Sequence, residues 1–176
     1  MTKPIARDAI YRRRRFEAEI IELCVRWYIT YRLSYRDLVA MMAERGLAVS
    51  HTTILRWVIR YVPEFEKRWG RWARDVHSSW RVDETYICVR GKRLSFARHW
   101  PPACRYLNDI VEQDHRAIKR RCASMLGFRS FGNAAITLAG IELAHRIHKR
   151  QFSFGSGRQW RNQSLRQLWD RALVSD

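Results

Sequence analysis

No stretch of this 176-residue chain approaches the ~18 consecutive apolar residues that a membrane span needs, so no membrane partner is expected. An apolar signal core is missing too. The opening MTKPIARDAIYRRRRF has basic residues but no apolar run behind them, which excludes a secretory signal and makes the cytoplasm the expected compartment. Cysteine is sparse and scattered: Cys24, Cys88, Cys104 and Cys122 form no C-x-x-C pair, which argues against a zinc ribbon or a disulfide framework. There is no internal repeat and no low-complexity block. Acid is the scarcest resource, with 17 Asp and Glu against 34 Lys and Arg and a formal net charge of +17.

What is present is ample apolar material. At 47% hydrophobic residues the chain excludes wholesale disorder, and its length suits one ordinary domain or two small ones. A cationic surplus of this size is the footprint of a polyanion binder, most often of nucleic acid. Charge alone leaves open a generally basic protein, but the clusters Arg12–Arg15 and Lys119–Arg121 favour the polyanion. His145 and His148 stand three apart on an expected helix. No Cys or acid at ligand spacing joins them, so they read as a solvated helix face rather than metal ligands.

Helical periodicity begins at Phe16, with Ile20, Leu23, Cys24, Trp27 and Tyr28 at three- and four-residue spacing. Ser34 is a candidate N-cap for a second helix over 35–45, which Gly46 ends. Ser50 is a candidate N-cap for a third helix from His51, with Pro63 disturbing its register. Residues 80–98 read as a hairpin turning near Gly91 and Lys92, followed by a loop at His99–Pro102. Helix resumes over about 106–121 and 133–150, and the last stretch looks peripheral.

Two short helices joined by a Gly-containing turn match the helix-turn-helix plan, in which the second helix enters the major groove of double-stranded DNA. Its groove-facing set would be His51, Thr52, Thr53 and Arg56, with Arg60 farther along, while Arg36 and Arg45 hold phosphates. The competing reading is an ordinary three-helix core with a basic exposed face. On the strand, WRVDETYICVRGK carries Asp83 and Glu84. An Asp there is costly to bury without a cation or donors, so Asp83 is a candidate metal ligand, although an edge-strand charge that deters aggregation explains it equally well. Glu112, Arg116 and Lys119 stand at i, i+4 and i+7 on one helix. That line suits a metal-bound carboxylate beside cations for phosphate, or an exposed ion pair worth ~0.3–0.5 kcal/mol.

Together the blocks 12–68, 80–92 and 105–147 resemble bacterial insertion-sequence transposases of the insertion-sequence-six family. The resemblance implies an N-terminal helix-turn-helix and a DDE catalytic domain of ribonuclease H-like, integrase-core fold. It places the first catalytic Asp at Asp83, the catalytic Glu at Glu112 and a basic residue at Lys119. Asp83 and Glu112 then serve as ligands of two divalent ions, normally Mg²⁺. The resemblance further implies binding to terminal inverted repeats, a homodimer and no small-molecule substrate. Here the chain departs from the family pattern. Asp83 and Glu112 are 29 positions apart, and the only other Asp between them, Asp109, belongs to the Glu helix. No residue matches the second catalytic Asp, as if the middle of the catalytic domain were deleted.

The expected fold is mainly α with a small β-hairpin: a helix-turn-helix followed by a truncated ribonuclease H-like α/β remnant. The expected organisation is a basic arm (1–15), the helix-turn-helix (16–63), a helical linker (64–79), a truncated DDE domain (80–150) and a tail (151–176). The expected activity is DNA-end binding by a transposase remnant that lacks strand transfer. The alternative is a helix-turn-helix regulator with no DNA-joining chemistry.

Overall fold

A computed structural model describes residues 9–12, 15–73, 81–100, 120–122, 125, 127–152 and 162–173. Two serines decide where the second and third helices begin. Ser34 opens α2 (Tyr35–Ala43) through a reciprocal capping box: the Asp37 amide donates to Ser34 Oγ at 3.1 Å, and the Ser34 amide donates to Asp37 Oδ2 at 2.7 Å. Ser50 opens α3 (His51–Gly70), its Oγ accepting from the Thr53 amide at 3.2 Å. Between them Gly46, at φ +72°, takes the left-handed position that lets the chain leave α2.

The first helix, α1 (Ala18–Thr30), buries Ile21, Cys24, Val25, Tyr28 and Ile29 against α2 and α3. Helix α3 is longer than a recognition helix requires. It runs through Pro63 without a break, and Phe65, Arg68 and Trp69 continue the inward side begun by Ile54, Trp57, Val58, Tyr61 and Val62. The expected disturbance at Pro63 is therefore absent from the register. The ring costs one backbone bond, while buried aromatics on either side of it, Tyr61 and Phe65, hold both halves of the helix in the core.

Strands β1 (Arg81–Val89) and β2 (Lys92–Trp100) pair antiparallel. Val89 pairs with Lys92, so the turn is Arg90–Gly91, one residue earlier than expected. Both turn residues have positive φ, 50° and 76°, as a two-residue turn with matching twist requires. His99 and Trp100, expected in a loop, belong to β2. The turn end is held from outside. The Arg90 amide donates to the Phe128 carbonyl and the Phe128 amide to the Cys88 carbonyl, at 3.0 and 2.9 Å.

Helix α4 (Phe131–His148) ties the hairpin to the N-terminal helices. Its Ala134, Leu138 and Ile141 cover Val89, and its Leu143, Ala144 and Ile147 join the main core. At Gly140 the backbone of α4 comes so close to α1 and α3 that a Cβ would lie 2.9 Å from Ile29 Cγ2 and 3.0 Å from Val62 Cγ1. The final helix, α5 (Leu165–Leu173), lies in the stretch read as peripheral. It is not peripheral: Leu168, Trp169, Ala172 and Leu173 are buried, and Trp169 packs edge-on against Phe65 and Trp69 at 5.7 and 5.6 Å. The described chain is mainly helical, with the one hairpin as its sheet. Among the described residues, no helix is long and apolar enough to cross a membrane.

Candidate nucleic-acid interface and carboxylate positions

With one side of α3 committed to the core, the other stays in solvent. His51, Thr52, Arg56 and Arg60 are exposed, and Thr53 is half-buried beside them. Thr52, Arg56 and Arg60 follow at four-residue spacing and so form one row along the helix. The threonine hydroxyls gather at the cap: Ser50 Oγ lies 3.0 Å from Thr52 Oγ1 and 2.8 Å from Thr53 Oγ1. Arg60 lies over the Tyr61 ring, 5.8 Å from its centroid. Arg36 is exposed in the first turn of α2, and neither it nor Arg56 has an ion-pair partner among the described residues.

Arg45 is more engaged. Its guanidinium donates to the Met41 carbonyl at 2.9 Å and sits over the Trp27 ring at 5.2 Å, so it closes the end of α2 while remaining exposed. The Asp37 carboxyl, which accepts from the Ser34 amide and hydroxyl side, is held below the usual carboxylate range. It therefore stays ionised at neutral pH and favours the positive end of α2.

The carboxylates predicted for catalysis fall elsewhere. Asp83 sits in the third position of β1, paired in register with Arg98 of β2. Glu112 and Lys119 lie outside the described residues. Among the described residues no three His, Cys, Asp or Glu side chains gather as a metal site. His145 and His148 line a cavity of about 250 Å³ together with Tyr31, Arg121, Ile141 and Leu165. Cys24 and Cys122 are likewise poor ligands, because burial pushes both thiols up to about 11.

Arg121 is the residue that sequence reasoning misplaced. It was counted with the cationic cluster of Lys119–Arg121, yet its side chain is buried. Its Nε donates to the Tyr28 carbonyl at 3.1 Å and its Nη2 to the Leu33 carbonyl at 3.2 Å, and the guanidinium lies 4.9 Å from the centre of the Tyr28 ring. Burial lowers its pKa, and the facing carbonyls and tyrosine ring are what compensate the charge. No local signal in KRRC separates this arginine from its solvated neighbours.

Comparison with known proteins now adds the class. A family described as a DDE domain matches residues 95–151, which take in β2 from Ser95 and all of α4. The matched span contains Glu112 and Lys119 but begins after Asp83. The transposase for insertion sequence-like element IS431mec of Staphylococcus aureus (strain Mu50 / ATCC 700699) is 27% identical, over 80% of this chain and 89% of its own length. The transposase for insertion sequence element IS257 in transposon Tn4003, also of Staphylococcus aureus, is 26% identical over the same shares. No solved structure matches the chain. The chain is thus similar to DDE-type transposases of insertion sequences. A DDE domain implies dependence on divalent metal. Of the two carboxylates expected as ligands, Asp83 is described only as a strand position and Glu112 lies outside the described residues. No chemical step through a metal follows from them.

Proposed function

We propose that this chain is a shortened transposase that binds the terminal inverted repeats of its insertion sequence through α2 and α3 and does not join DNA by itself. The observation that carries the reading is the exposed row on α3. His51, Thr52, Arg56 and Arg60 are exposed on a helix whose opposite side is locked in the core, so the row is available to a groove. Arg forks suit guanine edges and phosphates, Thr hydroxyls suit either, and the capped N-terminus of α3 favours anions. Thr53 supports the cap and the row together. Arg36 and Arg45 flank it as phosphate contacts.

The incomplete catalytic set is supported by the alignment to the relatives. It spans 202 positions yet uses only 80% of this 176-residue chain, so about 60 aligned positions have no counterpart here. That missing length is the scale of several strands and a helix. On this reading Asp83 and Glu112 are the surviving ligands for Mg²⁺, an ion that takes oxygen donors, and Lys119 is the basic neighbour. The full family site would hold two ions ~3.5–4 Å apart for in-line phosphoryl transfer. Two carboxylates leave that site unfinished. The chain is read as a homodimer on family resemblance, with the two ends of the element as its double-stranded DNA partners.

The test is a binding titration on duplexes carrying the element's ends, with scrambled duplex as reference. Arg56→Ala is expected to lose about 1–3 kcal/mol of discrimination between the two duplexes while the fold is unchanged. Equal affinities of wild type and Arg56→Ala for both duplexes would remove α3 as the reader.

A further inference from the structure

In sequence the run Arg12-Arg13-Arg14-Arg15 is bracketed by Tyr11 and Phe16, and both of these are fixed in place. Tyr11 is buried, and its ring packs on Tyr61 of α3 at 5.0 Å, while the Tyr61 hydroxyl donates to the Ile10 carbonyl at 3.4 Å. Burial, with the Glu22 carboxylate beside it, pushes the Tyr11 pKa up, so this peg stays neutral. At the other end Phe16 packs edge-on against Trp57 of α3 at 5.2 Å. Trp57 and Tyr61 are one turn apart, and each directly follows an exposed arginine, Arg56 and Arg60.

The two pegs, each next in sequence to Arg12 or Arg15, are therefore seated on the same turns of α3 that carry the exposed row. The juxtaposition is close at each end. Arg60 lies over the Tyr61 ring that Tyr11 packs against, and Arg12 is the next residue after Tyr11. Arg15 lies over the Phe16 ring at 5.6 Å, and that ring packs on the neighbour of Arg56. Arg12 and Arg15 are exposed and make no ion pair among the described residues. Holding Arg12 and Arg15 on the turns that carry Arg56 and Arg60 is unfavourable unless a polyanion neutralises them.

We propose that Arg12 and Arg15 form a second DNA contact, held to α3 through Tyr11 and Phe16, that binds backbone phosphates of the duplex next to the segment read by Arg56. The inference rests on the reading of α3 as the DNA-facing helix. It assigns the arm a positioning task, because phosphate contacts set register and carry no sequence information.

The experiment measures affinity against salt for end duplex and scrambled duplex, using the full chain. Arg12→Ala/Arg15→Ala is compared with Arg56→Ala and with a charge-matched control on α5, Arg166→Ala/Arg171→Ala. Thermal melts confirm that each variant is folded. The arm predicts that Arg12→Ala/Arg15→Ala weakens binding to both duplexes by the same factor and makes the log–log salt slope shallower by about 1–2. The control is expected to keep the wild-type slope. A wild-type slope for Arg12→Ala/Arg15→Ala, or an equal change in the control, overturns the arm. If Arg56→Ala still loses discrimination in that case, the α3 reading survives; if wild type itself fails to discriminate, the α3 reading has failed instead.

Discussion

Arg121 spans the corner between α1 and α2 by bonding the carbonyls of Tyr28 and Leu33. Tyr28 belongs to the last turn of α1, whose carbonyls have no partner within the helix, so the cation also complements that end of the helix dipole. Arg121→Ala would leave two carbonyls without a donor in a buried place. The expected loss is about 2–3 kcal/mol in a denaturant titration, with no change in DNA discrimination once the protein is folded. Arg121→Lys should recover only part of it, because an ammonium lacks the planar fork that reaches both oxygens. A loss below about 0.5 kcal/mol would mean that water replaces the guanidinium easily at this corner. Such a residue is invisible in sequence. It sits in a basic run, and the only thing that distinguishes it is which carbonyls lie nearby after folding.

Helix starts were far more legible than helix partners. Ser34 and Ser50 were readable as caps because their bonds reach only three residues along the chain. The exposed row of α3 was readable for a similar reason, since a helical period assigns each residue to a side. The position of α5 was not readable. Its nine residues pack on the far half of α3 through contacts across about 100 positions of sequence, and Arg68 of α3 donates to the Leu173 carbonyl at its end. The core thus depends on an element that composition made look dispensable. Trp169→Ala should destabilise the protein by about 3–5 kcal/mol, since it empties the space between Phe65, Trp69 and the Arg26 guanidinium that lies 5.3 Å from the Trp169 ring. A change of less than about 1 kcal/mol in a thermal or urea melt would show α5 to be a loosely attached tail.

At the scale of the whole molecule the described chain combines an N-terminal helical core with a hairpin and the helix that covers its turn. The N-terminal helices retain a complete core and a presented basic face. Helix α4, inside the span matched by the DDE domain, packs on α1 and α3 through Gly140, so part of that span is folded onto the N-terminal helices. The hairpin that carries Asp83 is a two-stranded sheet, covered near its turn by α4 and residues 127–129. The spacing of Asp83 and Glu112 is countable in the sequence, because spacing is one-dimensional. Their position relative to each other is not, because it depends on packing between distant parts of the chain. The most direct measurement is strand transfer on DNA bearing the element's own ends, with Mg²⁺ or Mn²⁺, run beside a gel-shift on the same substrate. The account predicts a shifted complex that weakens steeply with salt and yields no joined product. Joined product from the wild-type chain that disappears in Asp83→Ala would contradict it.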